Sequence, residues 1–116
     1  LLKVSDIHVE DGPVVSPSDT VDEARRQMEK FDHDWVSVVE DGHLFGWVNA
    51  EMMEGVRTPG EAGPKPFSAY VTRDSTLRQA LDSIVTSRTQ VAVVASEGQR
   101  YLGILTLERI SKEIVS

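Results

Sequence analysis

The sequence predicts an α/β fold of the α+β kind, built from two βαββα copies packed with pseudo-twofold symmetry. Three observations predict it: an internal repeat, a hydroxyl-led helix start in each copy, and a Val-rich hairpin after each helix. Val15-Ser16-Pro17-Ser18-Asp19-Thr20 aligns with Val71-Thr72-Arg73-Asp74-Ser75-Thr76 at an offset of 56 residues. The register runs on through Ala24 with Ala80 and Met28 with Ile84. Past the helix, Val36-Ser37-Val38-Val39 is set against Val91-Ala92-Val93-Val94, with one residue lost. Gly46-Trp47-Val48-Asn49 then meets Gly103-Ile104-Leu105-Thr106, after a turn two residues longer in the second copy. Length differences confined to turns are what a structural repeat shows.

Each element has a local reason. Thr20-Val21-Asp22-Glu23 and Thr76-Leu77-Arg78-Gln79 have the T-x-x-E/Q form of a capping box, in which hydroxyl and side-chain acceptor satisfy orphan amides. Thr20 and Thr76 are therefore assigned to capping. The first helix then presents Val21, Ala24, Met28 and Phe31 on one stripe, and the second presents Leu77, Ala80, Leu81, Ile84 and Val85. Val-rich strands follow at 35–40 and 90–95, bounded by Asp41-Gly42 and Glu97-Gly98, and each turns into a partner at 44–48 or 101–105. A short closing helix ends each copy; in the second it buries Leu107, Ile110 and Ile114. Gly55, Pro59, Gly60, Gly63, Pro64 and Pro66 leave little room for regular structure. Hence the expected division is a first copy at 1–55, a linker at 56–68 and a second copy at 69–116. One copy alone leaves a face of its sheet uncovered, so the two are expected to share a core.

Composition narrows the function. With 40% hydrophobic and 27% charged residues, the 116-residue chain is globular rather than disordered. It has no cysteine, which excludes disulfides, thiolate metal sites and a cysteine nucleophile. The net charge of -7 concentrates in the first half, where 5 Lys/Arg face 13 Asp/Glu; the second half holds 7 against 6. That balance disfavours nucleic acid and anionic lipid, and there is no apolar run of membrane-spanning length. His8, His33 and His43 fall in different elements, Asp32-x-Asp34 reads as a solvated helix end, and no P-loop, G-x-S-x-G or H-E-x-x-H motif is present. No catalytic and no metal-ligating residue is assigned. The chain starts at Leu1 without a methionine, and it is read as a piece of a larger intracellular protein.

A Thr-capped helix, a Val-rich strand, an acidic-Gly turn and then Gly-hydrophobic-hydrophobic-[Ser/Thr] opening a helix occur twice, with Asn49 in the last place of the first copy. This pattern resembles the CBS motif, and a tandem pair of such repeats is called a Bateman module. The resemblance covers all but the extreme ends and the linker. Tyr70, the stretch Tyr101-Leu102-Gly103-Ile104-Leu105-Thr106 and the tryptophans Trp35 and Trp47 also look like a narrower group. That group is the C-terminal module of ATP-binding subunits of glycine betaine/quaternary-amine ABC importers.

The resemblance implies a regulatory, non-catalytic module with clefts for an adenine nucleotide (AMP, ADP or ATP) or cyclic di-AMP. It also implies self-association into a homodimer. Its other partners would be the ABC ATPase domain of the parent chain and the membrane permease, so it would lie in the cytoplasm against the inner face of the plasma membrane. Carried over position by position, it makes Thr106 the hydroxyl of the second site, with Asn49 in that place in the first copy. The acid expected three residues later is replaced by Met52 and Arg109. Arg109 suits a phosphate, or is a plain surface arginine. Thr72 and Arg73 match cleft-lining positions before the second helix, and Val15 and Ser16 match them before the first. Trp35 and Trp47 either stack on a purine or fill the core. A second reading, suggested by the missing acids, is a ligand-free dimerisation module of the transporter ATPase or of another CBS-containing host, responsive to ionic strength, with Met28, Met52 and Met53 supplying adaptable contacts.

Overall fold

In the computed structural model, residues 1–68 and 70–115 are described. The chain forms two compact units: a contiguous one, Gly12–Pro66, and a composite one made of Leu1–Asp11 with Phe67–Ser116. These compact units divide the chain differently from the expected copies at 1–55 and 69–116. Residues 1–11 leave the first copy, because Val4 donates its N–H to the Ser75 carbonyl at 2.8 Å and sinks completely into the composite core. The expected linker is largely part of the contiguous unit. Gly60–Ala62 form a 3-10 turn, Gly60 N–H donates to the Pro17 carbonyl at 2.9 Å, and Lys65 exchanges two 2.9 Å main-chain bonds with Trp47.

In the contiguous unit, β1 (Val14–Val15), β2 (Trp35–Glu40) and β3 (His43–Asn49) form a sheet in that order. β1 runs parallel to β2 and β3 antiparallel to it. Between β1 and β2 lies α1 (Val21–Phe31). Thr20 Oγ1 accepts the Glu23 N–H at 3.0 Å, but the reciprocal arm of the expected capping box is missing. Glu23 instead bonds Arg26 and Gln27, and the Arg26 guanidinium holds its carboxyl below the usual carboxylate range. The helix stops where Asp32 adopts a left-handed conformation, leaving its own N–H and that of His33 to close on the last carbonyls. Asp41 and Gly42, both at positive φ, make the tight hairpin turn. Val15, Val21, Ala24, Met28, Val36, Val38, Val48 and Met53 form the core. Two of the methionines set aside for assembly are thus buried, and Met52 packs against the same core. No closing helix forms here. Residues 50–55 are successive turns, which Gly55 ends at φ 77°.

The composite unit repeats the plan with β4 (Tyr70–Val71), α2 (Leu77–Thr86), β5 (Ala92–Ala95), β6 (Tyr101–Leu105) and a true closing helix, α3 (Leu107–Val115). Its capping box is complete: Gln79 N–H donates to Thr76 Oγ1 at 3.1 Å, and Thr76 N–H to Gln79 Oε1 at 2.8 Å. Val4, Val71, Leu77, Ala80, Ile84, Ala92, Val94, Leu105 and Ile110 are its core. Val85, Leu107 and Ile114, expected inside, are 82%, 54% and 55% exposed.

The ladders also correct the repeat alignment. β1 sets Val14 opposite Ser37, and β4 sets Tyr70 opposite Val93. Ser37 therefore corresponds to Val93 rather than Ala92, no residue is lost after the helix, and the hairpin turn is one residue longer in the second copy rather than two. Bulges at Val38/Val39 and Val94/Ala95 fall at matching points. The distinction matters because a one-residue slip exchanges the two faces of a strand. In the true register Val36 and Val38 match Ala92 and Val94 on the helix side. Trp35, Ser37 and Trp47 match Val91, Val93 and Ile104 on the other.

Two glycines explain why the repeated motif begins as it does. Gly46 and Gly103 sit at φ 142° and 143°, and each is crossed by a segment from outside its hairpin. A Cβ on Gly46 would lie 2.1 Å from the Lys65 carbonyl oxygen; one on Gly103 would lie 2.5 Å from Val9 Cγ1 and 2.6 Å from the Glu10 carbonyl oxygen. Any side chain would expel the crossing strand.

Candidate functional site

In the composite unit, β6 delivers the chain to Thr106, which starts α3. Its Oγ1 accepts the Arg109 N–H at 3.1 Å, an N-cap, while its carbonyl accepts from Ile110 at 3.1 Å. The hydroxyl proton is left to point elsewhere, and it donates to Glu10 Oε2 at 3.1 Å. The Arg109 Nε donates to Glu10 Oε1 at 3.2 Å. One carboxylate thus receives a hydroxyl and a guanidinium at the amino end of a helix, where the helix dipole also favours negative charge. The pair is only partly open, with side-chain exposures of 32% for Arg109 and 27% for Glu10.

Glu10 is held there by its main chain. Its N–H donates to the Ile104 carbonyl and the Ile104 N–H donates back, both at 2.9 Å, across the space that Gly103 leaves free. Sequence reasoning found Thr106 and Arg109 but not Glu10. The partners stand 96 and 99 residues apart, and His8-Val9-Glu10-Asp11 gives no local sign of the pairing.

The other sites read from the sequence are placed as follows. Thr72 starts the turn before α2: its N–H donates to Ser75 Oγ at 3.0 Å and its carbonyl accepts the Ser75 N–H at 3.1 Å. Arg73 is exposed, and its carbonyl accepts the Ser5 N–H at 2.9 Å. Ser16 plays the part of Thr72 in the contiguous unit, with its N–H on Asp19 Oδ2 at 2.8 Å. Val15 is buried in the core with α1 and presents no side chain to a ligand. Asn49 Oδ1 accepts the Met52 N–H at 2.9 Å, the same capping use that Thr106 makes of its oxygen.

Trp35 and Trp47 are 2% and 6% exposed, on the sheet face away from α1. Trp35 stands opposite Asn49, and Trp47 opposite Ser37. The His33 ring lies 5.2 Å from the Trp35 ring, and the Lys65 ammonium lies 5.7 Å from the centre of the Trp47 ring. With so little surface the indoles are core residues in this conformation. The structure therefore joins Thr106 to Arg109, and Trp35, Trp47 and Asn49 to one sheet face. Among the described residues no group of three or more His, Asp or Glu is placed to hold a metal, and no helix is long and apolar enough to cross a membrane.

The sequence model of one family, described as the CBS domain, matches residues 4–52 and again residues 64–116. Solved structures share the fold. A CBS domain pair/ACT domain protein from Thermotoga maritima is 22% identical, with 98% of this chain and 97% of that one covered at a TM-score of 0.83. CBSX2, a CBS-pair protein from Arabidopsis thaliana solved in complex with AMP, is 18% identical, with 99% and 97% covered at 0.80. OpuCA of Staphylococcus aureus is 19% identical, with 92% and 95% covered at 0.71. No curated protein matches the chain in sequence.

Proposed function

The chain belongs to the CBS-domain family, and from that premise we propose that it is a regulatory, non-catalytic pair that binds an adenine nucleotide, with Thr106 and Arg109 holding its anionic part. One observation carries this reading: the Thr106 hydroxyl and the Arg109 guanidinium already converge on a single carboxylate, at 3.1 and 3.2 Å. Two donors spaced for one carboxylate are spaced for two oxygens of a phosphate. The complex of CBSX2 with AMP supports adenine as the base. The position three residues after Thr106 carries a cation instead of an acid. That arginine suits a phosphate and not a ribose diol, so a ligand bearing phosphates, ATP or cyclic di-AMP, is favoured over a bare nucleoside.

The regulated partner in this reading is the ATPase of an osmoprotectant ABC importer, with the module on the cytoplasmic side. The resemblance through Tyr70, Trp35, Trp47 and Tyr101–Thr106 supports it, as does the shared fold of OpuCA. Such a ligand regulates only through unequal affinity for two states of the attached machine.

Thermal unfolding with AMP, ADP, ATP, S-adenosylmethionine and cyclic di-AMP, with cyclic di-GMP as control, tests the ligand. A ligand at about 100 times its dissociation constant stabilises a folded state by roughly 2.7 kcal/mol, and a selective upward shift is expected. No shift with any adenine ligand would sink the reading. A second reading, assembly through α2 and α3, is favoured by the exposure of Val85, Leu107 and Ile114 on those helices. A dimer in light scattering together with a flat ligand series would select it.

A further inference from the structure

Glu10 enters the composite unit from the far end of the chain, and both of its carboxylate oxygens are bonded. Oε2 takes the Thr106 hydroxyl and Oε1 takes the Arg109 Nε. The geometry is not the chance rest of a long side chain. The main chain of Glu10 is clamped to Ile104 on both sides, and its carbonyl and Val9 fill the space above Gly103. The carboxylate is thus delivered by backbone pairing to the two donors proposed to hold a ligand's anionic part. Exposures of 27% and 32% leave the cluster reachable from solvent.

We propose that Glu10 is a built-in competitor: it occupies Thr106 and Arg109 in the resting chain, so a phosphate binds there only by displacing it. The inference rests on the reading that Thr106 and Arg109 hold the anionic part of a ligand. A carboxylate and a phosphate cannot share two donors without like-charge repulsion, so Glu10 raises the concentration at which an anionic ligand binds. An uncharged ligand has no use for these donors and is unaffected. The contiguous unit has no equivalent. At its matching bridge, Trp47 pairs with Lys65, whose side chain is a cation. The competitor therefore acts on one copy and sets an unequal response of the two to anions.

Calorimetric titration of inorganic triphosphate, ATP and adenosine into the chain, Glu10→Gln and Glu10→Gln/Arg109→Gln tests this. Glu10→Gln is expected to bind triphosphate about fivefold more tightly, the upper scale of one partly exposed charge pair. Adenosine should be unchanged, and the added Arg109→Gln should abolish the gain. Equal or weaker triphosphate binding by Glu10→Gln overturns the proposal, even if ATP binds every variant, and that outcome leaves the adenine reading standing. A triphosphate gain in a chain that ignores ATP and adenosine alike keeps the competitor and discards the adenine reading. Circular dichroism checks the fold of each variant. If Glu10→Gln proves unfolded, Glu10→Ala substitutes, since it removes the carboxylate, keeps the main-chain bonds to Ile104 and should likewise tighten triphosphate.

Discussion

The two copies impose one backbone on two sets of side chains. On the sheet face away from the helix, the contiguous unit carries Trp35, Ser37 and Trp47 where the composite unit carries Val91, Val93 and Ile104. Beside the hairpin glycine, one is crossed by Lys65 and the other by Glu10. Where the chain leaves the sheet, Asn49 caps a run of turns while Thr106 caps a helix. What stays constant is what the backbone demands: a hydroxyl before α1 and α2, a glycine under each crossing strand, a bulge in each hairpin. What diverges is charge and bulk at the same positions, which is where a duplicated unit can acquire two different responses.

The constant features should break the fold most sharply. Gly46→Ala places a methyl 2.1 Å from a carbonyl oxygen at φ 142° and is expected to cost about 4 kcal/mol in denaturant unfolding. Gly98→Ala, with nothing near its Cβ, should stay within about 0.5 kcal/mol. Equal effects would mean that the crossing strand is not what holds the hairpin. Next comes an exchange across the repeat. Trp35→Val makes the first copy resemble the second at a fully buried position and should cost about 3 kcal/mol through the cavity it leaves. A loss well below that would show an indole able to leave the core, which would reopen it as a ligand contact. The smallest effect separates the two caps. Thr76→Ala removes one arm of a complete box and should cost about 1.5 kcal/mol, whereas Thr20→Ala removes a single bond and should cost about 1 kcal/mol by the same assay.

Much of this plan could be read directly. Thr20 and Thr76, the apolar stripes behind them and the Gly at the start of each final strand motif announce two copies of one unit, because capping and helical spacing are local. The strand register was harder. Val36 and Val38 are buried on one face of β2 while Trp35 and Ser37 are buried on the other, and Ala92 to Ala95 are buried throughout. Without polar alternation, nothing in a run such as Val91-Ala92-Val93-Val94 fixes its phase. Val85, Leu107 and Ile114 misled for the opposite reason: helical spacing finds a stripe but not how wide a stripe the sheet covers. Of the site, Thr106 and Arg109 were visible through the repeat. Glu10 was not, since its position follows from a main-chain pairing that no local pattern encodes.

That pairing also orders the events of folding. The contiguous unit draws all its strands and its helix from residues 12–66, so its pairings are local. In the composite unit they are not: Glu10 must meet Ile104, and Val4 must meet a core made of residues 71–110. Its loop closure spans nearly the whole chain, the kind of separation that slows folding. Residues 1–11 find their partners only at residues 71–110, so the composite core is finished only when the last helix is present.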